Sequence, residues 1–215
     1  KVDNDSVLGA LEVIRNRVNA LGVSEPIIRR KGFRQIVVEL PGVSNPERAI
    51  KLIGETALLE FVEAEWAPGN ADILTPEKIK ILAGEDAKLL SFTQLNRDGS
   101  KIERPIILKK TAVTGKYLKA AFPGVDQNGK SHVSIEFDAK GAELFGKATT
   151  RSVGKPIAIL LDSKIISAPN VNEPISGGRA IISGDFSPTE IKDLVIKLKA
   201  GALPVPVEVI SNKVV

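Results

Sequence analysis

Apolar residues at Val7, Leu8, Leu11, Ile14, Val18 and Leu21 recur at helical spacing, so they predict an amphipathic helix that Ser6 or Asp5 caps and Gly22 ends. The period then changes. "EPIIRR" (25–30) and "FRQIVVELPG" (33–42) read as two strands around a turn at Lys31-Gly32, with Ile36, Val38 and Leu40 on one face. Pro46-Glu47 opens a second helix that stops at Gly54, and "ALLEFVEA" (57–64) is a strand again. Helix, strand, strand, helix, strand is a ferredoxin-like plan whose leading strand is absent.

The pattern is weak over residues 65–130. "EWAPGNAD" reads as a linker, Thr75-Pro76-Glu77 as a helix start, and 96–100 and 123–130 as polar turns. Regularity returns with a strand at "HVSIEFD" (132–138) and a helix over 139–150. "KPIAILLD" (155–162) is nearly all apolar, as a strand buried on both faces would be. "KIISAP" pairs with it through Asp162-Ser163, and "SGGRAIISGDF" supplies another strand. Ser187-Pro188-Thr189-Glu190 is a capping box whose helix runs to about Lys199, with Ile191, Leu194, Val195 and Leu198 inward. "AGALPVPVEV" (200–209) then predicts an edge strand, because Pro204 and Pro206 remove donors from one side only. The sequence of strand, Gly turn, Pro-Glu helix start, Gly stop and strand occurs at 34–61 and again at 179–209. Either an internal repeat or the common punctuation of such units accounts for it. The fold class is α+β in two parts.

Composition narrows the function. The longest clear apolar run, "IAILL", is far short of the roughly 20 residues a membrane helix needs. There is no signal-peptide pattern, and methionine is absent even at position 1, so a fragment or processed product is expected. Without cysteine there is neither a disulfide scaffold nor a Cys-based zinc site. A net charge of +4 and a pI near 9.2 raise the question of nucleic acid. The excess lies in residues 67–130, with 11 basic and 7 acidic side chains spread along the segment. The densest basic stretch, "RRKGFR" (29–34), has one aromatic and no stacking set, so it reads as a solvated strand and turn, and no nucleic-acid partner is expected.

Candidate chemistry is sparse. His132 is the only histidine, which leaves no metal set and no Ser-His-Asp constellation. "ISGGRAIISG" (175–184) lacks the spacing and Lys of a phosphate loop. Asp138, Asp162 and Asp185 stand at strand ends, where Asp serves turns. Trp66, the sole tryptophan, lies where the first part gives way to the linker and reads as a packing anchor between the parts. No catalytic, cofactor-binding or metal residue is assigned, no cofactor is expected, and the chain is not expected to be an enzyme.

Several stretches resemble the SecD family of protein-export membrane subunits. They are "IRNRVNALGVSEP" (14–26), "IVVELPGV" (36–43), "TGKYLKAA" (114–121), "VSIEFDAKGAELFGKAT" (133–149), "VGKPIAILLDSKIISAP" (153–169), "ISGGRAIISGDF" (175–186) and "LKAGALPVPVEV" (198–209). The resemblance spans nearly the whole chain except 65–113. It implies an extracytoplasmic (periplasmic) domain between the first and second transmembrane helices of an inner- or plasma-membrane protein. It also implies SecF, the SecYEG channel with SecA upstream, and unfolded preprotein as partners in a proton-gradient-driven cycle. The family's proton-carrying residues lie in membrane helices outside this sequence. In these terms residues 1–66 plus 203–215 form a membrane-proximal, ferredoxin-like base, and 67–202 an inserted α+β head. Two crossings would join them, at Ala67-Pro68-Gly69 and Ala200-Gly201-Ala202, and these six residues are the candidate hinge. A ferredoxin-like module binding RNA or a small ligand is the alternative. It would need exposed sheet aromatics or a pocket.

Overall fold

The computed structural model of the protein describes residues 2–68, 75–95 and 100–211. Helix α1 (Asn4–Ala20) is capped by Asp3, two residues before the nearer of the expected caps, and its carboxylate accepts the Ser6 amide at 2.8 Å. Strands β1 (Ile27–Lys31) and β2 (Gln35–Glu39) pair antiparallel as a hairpin and form a two-stranded sheet by themselves. Helix α2 (Pro46–Gly54) follows, with Asn45 as its cap and Pro at its start. Ala10, Ile14 and Val18 of α1 pack with Leu203 in a small core, against partly buried Ile28, Ile36 and Val38 of the hairpin.

Strand β3 (Leu59–Trp66) departs from the ferredoxin-like plan. It leaves the first unit and becomes the centre of a five-stranded antiparallel sheet, flanked by β5 (Lys101–Thr114) and β8 (Ile157–Leu161). Strands β4 (Lys88–Leu95) and β9 (Lys164–Ser167) complete the order β4-β5-β3-β8-β9, and helix α3 (Pro76–Ala83) precedes β4. The reason is burial on both faces. Leu59, Phe61 and Ile159 face one core while Val62, Ala64, Ala158 and Leu160 face another. A two-stranded hairpin has no second layer to cover such a strand. Within the pattern-poor stretch 65–130 the structure places α3, β4 and β5.

A second sheet has the order β10-β7-β6, built from β6 (Leu118–Val125), β7 (Ser131–Phe137) and β10 (Arg179–Ser183). Helices α4 (Ala139–Arg151) and α5 (Pro188–Ala200) complete the second unit. Its main core joins Phe61 of β3 edge-on to Phe137 and Phe145, at 5.3 and 5.5 Å between ring centres. The capping box at Ser187 and Glu190 forms, and Ile191, Leu194, Val195 and Leu198 are buried as the periodicity requires.

Residues 201–211 do not form the expected edge strand. This tail is held instead by burial of Leu203 and by its amide, which donates to the Thr56 carbonyl at 2.8 Å. Pro204 rests against Gly9 of α1, and Val207 packs on the small core. The prolines that marked an edge leave too few donors for pairing here. The second copy of the apparent internal repeat therefore keeps its strand and helix, β10 and α5, but lacks the closing strand.

Candidate functional site

Because β3 belongs to the second unit, the chain passes between units at residues 55–58 and again at 201–203. Both crossings meet at Arg17. The apolar stripe of α1 carries this arginine into the interior, where it is wholly buried. Its Nη1 donates to the carbonyls of Leu52 and Ile53, each at 3.1 Å, and to that of Glu55. Its Nη2 donates to Thr56 at 3.2 Å and to Gly201 at 3.1 Å. The first two are among the last carbonyls of α2, which have no helical partner and carry the negative end of the helix dipole. One guanidinium on α1 thus grips both crossings.

The opposite side is held by Asp162, in the β8–β9 turn. Its carboxylate accepts the amides of Ala57 and Leu58 at 3.0 and 2.9 Å, and its own amide donates to the Leu58 carbonyl at 3.0 Å. The peptide unit between Thr56 and Ala57 is therefore shared. Arg17 and the Leu203 amide hold its oxygen, and Asp162 holds its N–H. Ala57 is left-handed at φ 59°, a conformation an L-residue enters at a cost of about 1 kcal/mol. Burial pushes the Arg17 pKa below its ordinary value, and the charges of Asp162 and Glu55 draw it back up. The group stays cationic, since arginine does not deprotonate in proteins.

Two ion pairs bridge the units beside this joint. Arg48 of α2 forks onto Asp193 of α5, with Nε 3.1 Å from each carboxylate oxygen and Nη2 2.5 Å from Oδ1. That hydrogen bond raises the Arg48 pKa. Glu55 pairs with Lys197 of α5, whose residue is almost fully buried.

Of the six expected hinge residues, Ala67 is not at a crossing. Its amide donates to the Pro105 carbonyl at 3.0 Å, so it extends β3 within the second unit, and Pro68 follows it; Gly69 lies outside the described residues. Ala200 ends α5, and Gly201 (φ 84°) and Ala202 follow it. Trp66 is also internal to the second unit. Its Nε1 donates to Asn170 at 3.2 Å, and the Arg104 guanidinium stacks 4.0 Å from its ring centre. His132 sits opposite Gly124 across β6 and β7, where the missing Cβ makes room for the imidazole. Asp138 caps α4 through the Gly141 amide at 2.7 Å. The sequence did contain a sign of Arg17: it interrupts the apolar face between Ile14 and Val18, where a charge needs a buried partner.

A second feature is the outer face of the three-stranded sheet. Phe122 and Ile181 both register with Ser134 of β7, so they share a face, and each is about half exposed. Among the described residues neither β6 nor β10 has a partner on its outer edge. No group of His, Cys, Asp or Glu among the described residues could hold a metal, and no helix among them is long and apolar enough to cross a membrane.

Fold and joint together define a two-unit α+β domain, its larger unit hung on the smaller by a double crossing around a buried arginine. The chain belongs to the SecD family of protein translocase subunits. The family model for the SecDF P1 head subdomain matches residues 91–205, and that for the N-terminal part of the P1 domain of protein translocase subunit SecDF matches residues 7–65. Protein translocase subunit SecD of Syntrophobacter fumaroxidans is 40% identical over 219 residues, covering 100% of this chain and 40% of the relative. That of Acidaminococcus fermentans is 39% identical over 215 residues, covering 100% and 41%. The chain thus spans about two fifths of the length of these curated relatives. A solved structure of SecDF, described as a membrane component that enhances protein export, superposes with a TM-score of 0.76 at 32% identity, covering 100% of this chain and 96% of that one. SecDF in a super-membrane-facing form gives a TM-score of 0.75 at 34% identity, covering 98% of this chain and 28% of that one.

Proposed function

We propose that this is the extracytoplasmic domain of a membrane-anchored export subunit, and that its second unit binds a translocating polypeptide and turns on the first to draw it outward. The observation that carries this reading is the joint: two short crossings, one shared peptide unit, and two ion pairs that must open for the units to rotate. Hinges are a few residues at element ends, as residues 55–58 and 201–203 are. In this reading the first unit, built from α1, the β1–β2 hairpin and α2, is the membrane-proximal base. SecF and the SecYEG channel, fed by SecA, are the partners, and the proton gradient drives the cycle through membrane segments outside this chain. The half-exposed Phe122 and Ile181, beside open strand edges, offer an extended polypeptide both apolar contact and backbone pairing. The domain performs no bond-breaking chemistry of its own.

The test is a reversible bridge between the units. Cysteines replace Arg48 and Asp193 in a cysteine-free full-length protein, and a short bis-methanethiosulfonate reagent joins them. Export stimulation in inverted vesicles should be lost on bridging and return on reduction. A bridged protein that stimulates export as well as the reduced one removes rotation from the mechanism.

A further inference from the structure

The β1–β2 hairpin tip is unlike the rest of the first unit. Between Glu25 and Glu39 there is no acidic residue, while Arg29, Arg30, Lys31 and Arg34 are basic. Phe33 stands at the turn 60% exposed. Arg30 stiffens the turn: it donates to the carbonyls of Gly32 at 2.9 Å and Phe33 at 3.1 Å, and lies 5.5 Å from the Phe33 ring centre. Arg29 is within 3.7 Å of Glu39, but Lys31 and Arg34 are exposed and in no ion pair among the described residues. The fixed turn thus offers an exposed aromatic ring flanked by two exposed cations.

The place of the tip in the fold indicates what it meets. Arg30 donates to the Asn4 side chain at 2.5 Å, so the tip lies at the N-terminal end of α1. The joint to the second unit lies at Arg17, about 20 Å further along that helix. The tail leaves the joint at Gly201 and passes Gly9 at Pro204, so it runs antiparallel to α1, back toward the tip. Both directions of the chain therefore lead to the end of α1 that carries the hairpin tip.

We propose that the hairpin tip contacts the surface of an anionic lipid bilayer, with Lys31 and Arg34 on the headgroups and Phe33 at headgroup depth. This rests on the reading that the domain is membrane-anchored; the cations and the ring are the contacts such a surface selects. A nucleic acid is the other polyanion class, but one ring gives no stacking series.

The experiment uses the chain itself, which has no cysteine. A polarity-sensitive dye is placed on Phe33→Cys and, as control, on the exposed Asn172→Cys of the second unit. Vesicles are phosphatidylcholine with or without one third phosphatidylglycerol. The dye at position 33 should shift to the blue on anionic vesicles only, and the dye at 172 should not shift. In sedimentation the unlabelled chain should bind anionic vesicles at least tenfold better than neutral ones. Lys31→Glu with Arg34→Glu should remove that preference, and Phe33→Ser should weaken binding several-fold with the fold intact by circular dichroism. Equal binding to both vesicles, no shift at position 33, or preferential binding of single-stranded RNA through the same residues overturns the proposal. These readouts involve no translocation, so they fail or succeed independently of the bridged-domain experiment.

Discussion

Replacing Arg17 by methionine keeps most of the side-chain volume and removes the charge and all its donors. Five carbonyls then lose a charged donor, those of Leu52, Ile53, Glu55, Thr56 and Gly201, while that of Thr56 keeps the Leu203 amide. A hydrogen bond to a charged group is worth about 1.5–3 kcal/mol. The five do not add, because they share one guanidinium whose own burial is costly and because water can enter a relaxed joint. Removing one side of a buried charged network costs roughly 3–5 kcal/mol, and we take about 4. For a chain of this size each kcal/mol moves Tm by roughly 2–4 °C, so the midpoint should fall by about 10 °C. Urea unfolding followed by circular dichroism measures the loss, and limited proteolysis should find new cleavage within residues 55–58. Arg17→Lys should recover less than half, since one ammonium with three donors cannot span both crossings. The deficit should be constant between pH 5 and 9, because arginine does not titrate there. If Arg17→Met unfolds within about 1 kcal/mol of the parent, or Lys restores it fully, the guanidinium does not hold the crossings together.

Two further outcomes test the packing and the electrostatics of the second unit. Gly141→Ala should destabilise by about 1–3 kcal/mol although Ala is the better helix former, because a Cβ there meets Cβ atoms of Tyr117 and Phe137 at 2.7 and 2.9 Å; a thermal melt at or above the parent's contradicts this close approach. Glu65 has its pKa lowered by the hydrogen bond from Lys109, at 2.6 Å, so its stabilising contribution is complete above the ordinary glutamate range and is lost as pH falls through its lowered folded value. Glu65→Gln should therefore lower stability near neutral pH and flatten the acid limb of the stability curve, and an acid limb of unchanged slope refutes the assignment.

Local patterns in the sequence were enough for α1, the β1–β2 hairpin, α2, α4 and α5, with ends close to those observed. Caps, glycine stops and apolar periodicity act within a few residues, and so survive without tertiary context. The capping box at Ser187 and the tight turn at Asp162-Ser163 are of this kind. The β4–β5 hairpin was not legible, because its exposed and buried positions depend on which side of β3 it joins. Only the tertiary structure decided where β3 goes. Its residues fit either a ferredoxin-like sheet or the centre of a larger one, and the second layer that covers it comes from β7, α4 and α5, far along the chain. That choice moved one crossing from Ala67-Pro68-Gly69 to residues 55–58. The buried arginine was visible as an oddity on an apolar helix face, but its meaning was not. The groups that satisfy it are backbone carbonyls, which every residue possesses, and sequence gives no sign of which carbonyls a fold will bring to one point.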